Sequence, residues 1–92
     1  MSSFVGAYEL PPMQPANLPQ EAATAFSEVI SSMVGAKYMP VLYCGKQIVH
    51  GTNYMIICKQ TLAVQGAAEH VVKMIINCSE QGNSIVEIET IV

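Results

Sequence analysis

The hydrophobic positions in the first third of the chain repeat at the spacing of an α-helix. Pro19 suits a first helical turn, Glu21 lies where a carboxylate meets the positive end of a helix, and Gly35 suits a C-terminal stop. Between these residues, five apolar side chains form one stripe: Ala22, Phe26, Val29, Ile30 and Met33. The pattern predicts one amphipathic helix that begins near Pro19 and ends before Gly35.

From residue 37 onward the pattern becomes strand-like. Four segments rich in β-branched and aromatic residues cover residues 38–48, 51–62, 69–78 and 84–91, and short turns separate them. A helix followed by successive strands with short connections favours an antiparallel sheet with the helix packed across it. The sequence therefore predicts a single α+β domain over residues 1–92.

The strands differ in how their apolar residues alternate. In the last strand, Glu87 and Glu89 fall on one face, and Val86 and Ile88 fall on the other. The second strand is apolar on both faces, because one set of alternating residues comprises Tyr54, Ile56 and Cys58 and the other comprises Met55 and Ile57. One helix covers only one face of a sheet, so we expect a second apolar face without a helix on it.

Residues 1–17 follow neither period. They contain three prolines, at positions 11, 12 and 15, and no regular spacing of apolar residues. This segment is predicted to be an extended arm, with a short strand near residues 4–10.

The composition narrows the classes of function. Charged residues make up only 12% of the chain, the net charge is −3, and arginine is absent. The four cations are scattered along the sequence: Lys37, Lys46, Lys59 and Lys73. Such a chain has no basic patch for a phosphate backbone, so we expect no nucleic-acid partner.

Membrane insertion and secretion are not expected either. No apolar run approaches the roughly 18 residues that would span a bilayer, and the N-terminus has no basic segment leading into an apolar core. Cys44, Cys58 and Cys78 all lie in predicted strands, where we expect buried, reduced thiols. We therefore expect a cytoplasmic protein without a metal or cofactor.

The segment "QIVHG", residues 47–51, has an unusual composition for the tip of a hairpin. Tight hairpin turns favour Asn-Gly, Asp-Gly or Gly-Gly, and only Gly51 meets that requirement here. Ile48 and Val49 are β-branched and stiff, so the loop is either strained or built to offer apolar side chains to a partner.

This segment and its flanks resemble the central part of cystatins, and most closely the intracellular stefins. In that family a strand leads into a Gln-x-Val-x-Gly loop, and the next strand begins Thr-Asn-Tyr. The chain matches the loop at Gln47, Val49 and Gly51, and residues 52–54 read Thr-Asn-Tyr. The resemblance covers most of residues 6–78 and implies a cystatin-like antiparallel sheet wrapped across one helix.

The resemblance also implies a function, which is reversible, competitive inhibition of papain-like cysteine proteases of the cathepsin type. Gly6 would be the family's N-terminal glycine, with Phe4 and Val5 in apolar subsites on the non-primed side of the cleft. The central loop that enters beside the catalytic thiol would comprise Gln47, Ile48, Val49, His50 and Gly51. Residues 79–83, "SEQGN", depart from the second loop of cystatins, because they contain neither Pro-Trp nor a longer Leu-Pro loop.

Other interpretations stay open at this level. A cystatin-like domain without inhibitory activity, either a binding module or a self-associating one, fits the same pattern. Straightening of residues 47–51 would join the two flanking strands and produce a homodimer by domain swapping. An enzyme or metal site built from Cys44, His50 and His70 is the weaker rival, because no orienting group or oxyanion pocket accompanies these residues.

Overall fold

A computed structural model describes residues 8–92, in which one α-helix and four β-strands follow the predicted order. The helix α1 spans Gln20–Ser31, and the strands are β1 (Ala36–Val49), β2 (Gly51–Leu62), β3 (Glu69–Ser79) and β4 (Gly82–Thr90). The strands form one sheet in the order β1-β2-β3-β4, and each neighbouring pair is antiparallel. The predicted α+β class, with a helix packed on an antiparallel sheet, is confirmed.

The helix begins directly after the predicted proline and ends earlier than expected. Pro19 is the N-terminal cap residue, and its carbonyl accepts a 2.8 Å hydrogen bond from the N–H four residues later. At the other end, the hydroxyls of Ser31 and Ser32 donate to carbonyls three residues earlier. These hydroxyls satisfy carbonyl groups of the last turn, which have no N–H partner within the helix. Met33 therefore lies beyond the helix.

The core lies between α1 and one face of the sheet. The helix buries Ala22, Ala25, Phe26 and Val29, while β2 and β3 bury alternate residues, namely Tyr54, Ile56, Cys58, Val72, Met74 and Ile76. Within residues 8–92 no polar or charged residue belongs to this buried set. The predicted assignment of Tyr54, Ile56 and Cys58 to one face is confirmed.

A β-bulge in β4 corrects the predicted alternation of that strand. Ile76 pairs with Ile85 but Ile75 pairs with Glu87, so Val86 is an extra residue in the ladder. Val86 is exposed, and Ile85 packs against the core on the side that Ile88 also faces. The expectation that Val86 shares a face with Ile88 is therefore wrong.

The two glutamates of β4 lie together, as predicted. The Lys73 ammonium contacts Glu87 at 2.9 Å and Glu89 at 3.1 Å. The Lys73 ammonium donates hydrogen bonds to both carboxylates, and these bonds raise the pKa of Lys73 above its ordinary value, with the larger effect from Glu87 and the smaller from Glu89.

The edge strand β1 contains two further bulges. The register shifts once at Val41 and again at Cys44, where each adds one residue to β1 without a partner in β2. The second bulge leaves Cys44 exposed, whereas Cys58 is buried and Cys78 is half-buried. The expectation that all three thiols are buried is wrong for Cys44, because a bulge removes that residue from the regular alternation.

Residues 8–19, which include the described part of the arm, contain no helix or strand. It runs beside β1, where the Ala16 N–H donates a 2.9 Å hydrogen bond to the Pro40 carbonyl, and Leu18 packs against the core. Of the short strand predicted near residues 4–10, residues 8–10 are not in strand conformation, and the others lie outside the described residues. Across residues 8–92, none of the helical structure has the length and apolarity needed to cross a membrane.

Candidate functional site

The hairpin between β1 and β2 is tighter than the sequence predicts. Only His50 lies between the two strands, because Gln47, Ile48 and Val49 belong to β1. These three residues pair in order with Asn53, Thr52 and Gly51. The predicted five-residue loop is therefore a one-residue tip at the end of a paired ladder.

Gly51 is required by the geometry of this tip. Its φ is +94°, a conformation that L side chains rarely adopt. A Cβ atom on Gly51 would lie 2.5 Å from the carbonyl oxygen of Cys78 and 3.0 Å from the Cβ of Ser79. The chain thus makes its turn against the end of β3, and only glycine fits there.

Asn77 holds the tip in place. Its side-chain Nδ2 donates to the His50 carbonyl at 3.3 Å and to Asn53 Oδ1 at 3.0 Å. Asn77 is not among the site residues that the sequence predicts. The available signal was the presence of asparagine inside a predicted strand, where asparagine is disfavoured.

The second hairpin turn lies beside the first. Thr52 pairs with Cys78, so the turn that follows β3 emerges next to His50. A shallow cleft of about 320 Å³ separates the two turns and is lined by His50, Gly51, Ser79, Glu80 and Gln81. Within the second turn, the Ser79 hydroxyl accepts a 3.2 Å hydrogen bond from the Gln81 N–H.

The tip displays apolar side chains without left-handed backbone strain. Ile48 is 71% exposed and Val49 is 44% exposed. Among the described non-glycine residues only Ala67 has a positive φ, so the strain expected at Val49 is not found. Of the two explanations for the composition of this segment, display of apolar groups is therefore the one that the geometry favours.

The structure brings together five of the eight predicted site residues. Residues 47–51 all lie at one end of the sheet. The other three, Phe4, Val5 and Gly6, lie outside the described residues.

The rival set of Cys44, His50 and His70 is not assembled. His50 is next to Gly51 at one end of β2, and His70 pairs with Gln60 near the other end. Nine strand positions separate these ends, or about 30 Å.

The buried thiol of Cys58 is not suited to act as a nucleophile either. Burial raises the pKa of the Cys58 thiol to about 12, which disfavours its thiolate. In residues 8–92 no three metal-ligating side chains are grouped in a way that would hold an ion.

Compared with known proteins, the chain matches no family model, no curated protein and no solved structure. The cystatin resemblance remains a hypothesis that rests on the motif, and the arrangement of the two turns is an independent observation to set beside it.

We expect Gly51→Ala to destabilise the fold more than Gly66→Ala. Gly66 is a matched control, since its φ is +92° and no atom lies within 4 Å of its added Cβ. The positive φ should cost about 1–2 kcal/mol in both variants, and crowding against Cys78 should add about 1–3 kcal/mol for Gly51 alone. Urea unfolding measures both free energies. Equal losses of stability would contradict the close approach at Gly51.

Proposed function

We propose that this chain has a cystatin-like fold and is a reversible, competitive inhibitor of papain-like cysteine proteases. The observation that carries the proposal is the pair of adjacent hairpin turns at one end of the sheet, with Ile48 and Val49 exposed on the first. The Gln-x-Val-x-Gly motif occupies that position in the chain.

The physical basis of the proposed inhibition is a wedge that is ordered before it binds. Asn77 and the close contact at Gly51 fix the first turn, so little conformational entropy is lost when the turn enters a protease cleft. Exposed apolar side chains then leave water for an apolar subsite. Occupation of the cleft excludes substrate, and no covalent bond to the catalytic thiol is needed.

The N-terminal arm has enough length for its proposed role. Ala16 is anchored at Pro40, and Val49 lies about 23 Å further along β1, because the partners of Pro40 and Val49 are seven positions apart in β2. The ten residues from Ala16 back to Gly6 span at most about 33–36 Å when extended. The arm is therefore long enough for Gly6 to reach the level of the tip, where the proposal has Phe4 and Val5 fill the non-primed subsites.

The turn between β3 and β4 supplies the second proposed contact. Glu80 and Gln81 form a short polar surface beside His50 rather than the apolar loop of known cystatins. We therefore expect the primed-side contact to be polar and weaker than the contact of the first turn, because exposed polar contacts contribute little net free energy.

We expect the purified protein to inhibit papain reversibly, and Val49→Asp to raise the inhibition constant by about tenfold to hundredfold, because a carboxylate would be desolvated in the cleft. Val64→Asp is the matched control, since Val64 is also exposed but lies in the turn between β2 and β3 at the opposite end. Titration of papain activity measures both. Full papain activity in the presence of micromolar folded protein would exclude this function.

Deletion of residues 1–6 should weaken inhibition mainly through faster dissociation, because losses of interface contact usually appear in the off-rate. Stopped-flow or surface-binding kinetics with inactivated papain separates the two rate constants. Unchanged kinetics would show that the arm takes no part in binding, even if the tip does.

A second candidate function, self-association by domain swapping, is favoured by the one-residue tip. β1 and β2 are separated by His50 alone, so straightening there would merge them into one strand. The arm, α1 and β1 would then pack on a second molecule and re-form the same core. Such a dimer would lack the tip and would not inhibit a protease.

Mild heating is expected to convert part of the wild-type protein into a slowly exchanging dimer. Val49→Gly should lower the dimer fraction, because glycine weakens the merged strand. Gly51→Ala should raise it, because an extended residue 51 escapes both the positive φ and the close contact with Cys78. Size-exclusion chromatography before and after heating measures the fractions. A purified dimer that inhibits papain as well as the monomer would contradict the mechanism.

A further inference from the structure

The strand pairing at the first hairpin is symmetric about His50. From Gly45 to Val49, each residue of β1 pairs with the residue of β2 that lies equally far from His50 on the other side. Val49 thus pairs with Gly51, and Ile48 with Thr52. Within residues 45–55, His50 is the one position without a partner, and it marks the centre of the ladder.

This symmetry determines the surroundings of His50 when the strands swap. In the domain-swapped dimer, β1 of one copy pairs with β2 of the other in the register of the closed chain. Val49 then pairs with the partner's Gly51, and the position left opposite His50 is the partner's His50. The two-fold axis of the dimer therefore passes between the two histidines.

The two imidazoles of such a pair are close enough to share a ligand. Directly opposite residues of an antiparallel pair project from the same face of the sheet, with Cβ atoms about 4.5–5.5 Å apart. Ring nitrogens that extend from both Cβ atoms can converge on one ion between them, at the distance of about 2.0–2.1 Å that zinc requires.

Glu80 adds a carboxylate next to each histidine. Thr52 pairs with Cys78, and His50 and Glu80 each lie two residues beyond that pair, where they line the same cleft. Both residues are exposed at this end of the sheet. Because β2 and β3 come from the same copy in the swapped dimer, each Glu80 stays beside its own His50.

We propose that the swapped dimer binds one Zn²⁺ ion on its two-fold axis, through His50 and Glu80 of both copies. Two imidazoles and two carboxylates are nitrogen and oxygen ligands that zinc accepts, and together they complete a tetrahedral set. The two carboxylates also balance the charge of the ion. This proposal rests on the proposed domain swapping and does not depend on protease inhibition.

The closed chain holds only half of this site. Within residues 8–92 no three metal-ligating side chains of one chain are grouped to hold an ion, and His50 with Glu80 supplies two ligands. Zinc therefore binds the swapped dimer more tightly than it binds separate chains, and it shifts the equilibrium toward the dimer. The metal thereby controls how much of the protein keeps its tip.

Heating with and without zinc tests the effect on dimerisation. The wild-type protein is heated at about pH 7.5, where imidazole is mostly neutral and free to bind a metal. Chelator is then added in the cold, and size-exclusion chromatography separates the species. We expect zinc at about a hundred times the dissociation constant of the site to raise the dimerisation constant about a hundredfold. The dimer should outlast chelation, because its return to monomers requires the chains to open.

Single substitutions identify the ligands. His50→Ala removes the imidazole but keeps the carbonyl that Asn77 contacts, so it should still swap without metal and lose the response to zinc. Glu80→Gln should weaken the response. His70→Ala is the matched control, since His70 is the other histidine of the chain and pairs with Gln60 far from the tip. It should respond to zinc as the wild type does.

Isothermal titration calorimetry of the purified dimer with zinc measures the stoichiometry, which we expect to be a single ion for each pair of chains. Tight binding of one ion by each separate monomer overturns the proposal. A wild-type dimer fraction that zinc does not raise also overturns it, and the heated metal-free sample then shows separately whether the swap itself occurs. An equal response of His50→Ala has the same meaning. So does a zinc-induced dimer that dissociates at once on chelation, because that species would be two closed chains bridged by metal.

Discussion

Burial of one sheet face beneath a single short helix is the constraint on which the rest of the structure depends. The helix α1 buries Ala22, Ala25 and Phe26 in one close-packed cluster with the inward-facing residues of β2 and β3. Ile56, Met74 and Ile76 are fully buried beneath this helix, each contributing about 1.5–3 kcal/mol through the hydrophobic effect. A shift of one residue in β2 or β3 would move these side chains to the opposite face of the sheet, so the core itself fixes the strand register.

The fixed register determines the functional end of the molecule. Because β2 and β3 pair from Thr52 and Cys78 onward, the two hairpin turns have to emerge side by side. The contact of Gly51 with the end of β3 and the hydrogen bonds of Asn77 then join the turns into one surface. The properties of the tip thus follow from core packing that lies several residues away.

Periodic features could be predicted from the sequence, whereas features that depend on partner strands could not. The helical stripe from Ala22 to Ile30 and the alternation of Tyr54 and Ile56 have a fixed spacing along the chain, and both were predicted correctly. The bulges at Cys44 and Val86 arise from a mismatch between two strands, which no single segment reveals. Asn77 was missed for the same reason, since its partners are more than twenty residues away in sequence.

The bulges have a consequence for how the molecule avoids aggregation. An exposed, regular edge strand presents unpaired N–H and C=O groups that can template the addition of further chains without limit. Here the edge strand β1 is interrupted by bulges at Val41 and Cys44. It also contains Pro40, which has no N–H to donate. The other edge strand, β4, is interrupted by the bulge at Val86. Such irregular edges resist endless extension of the sheet. A chain that is apolar on both sheet faces can therefore remain in small, closed species rather than growing into fibres.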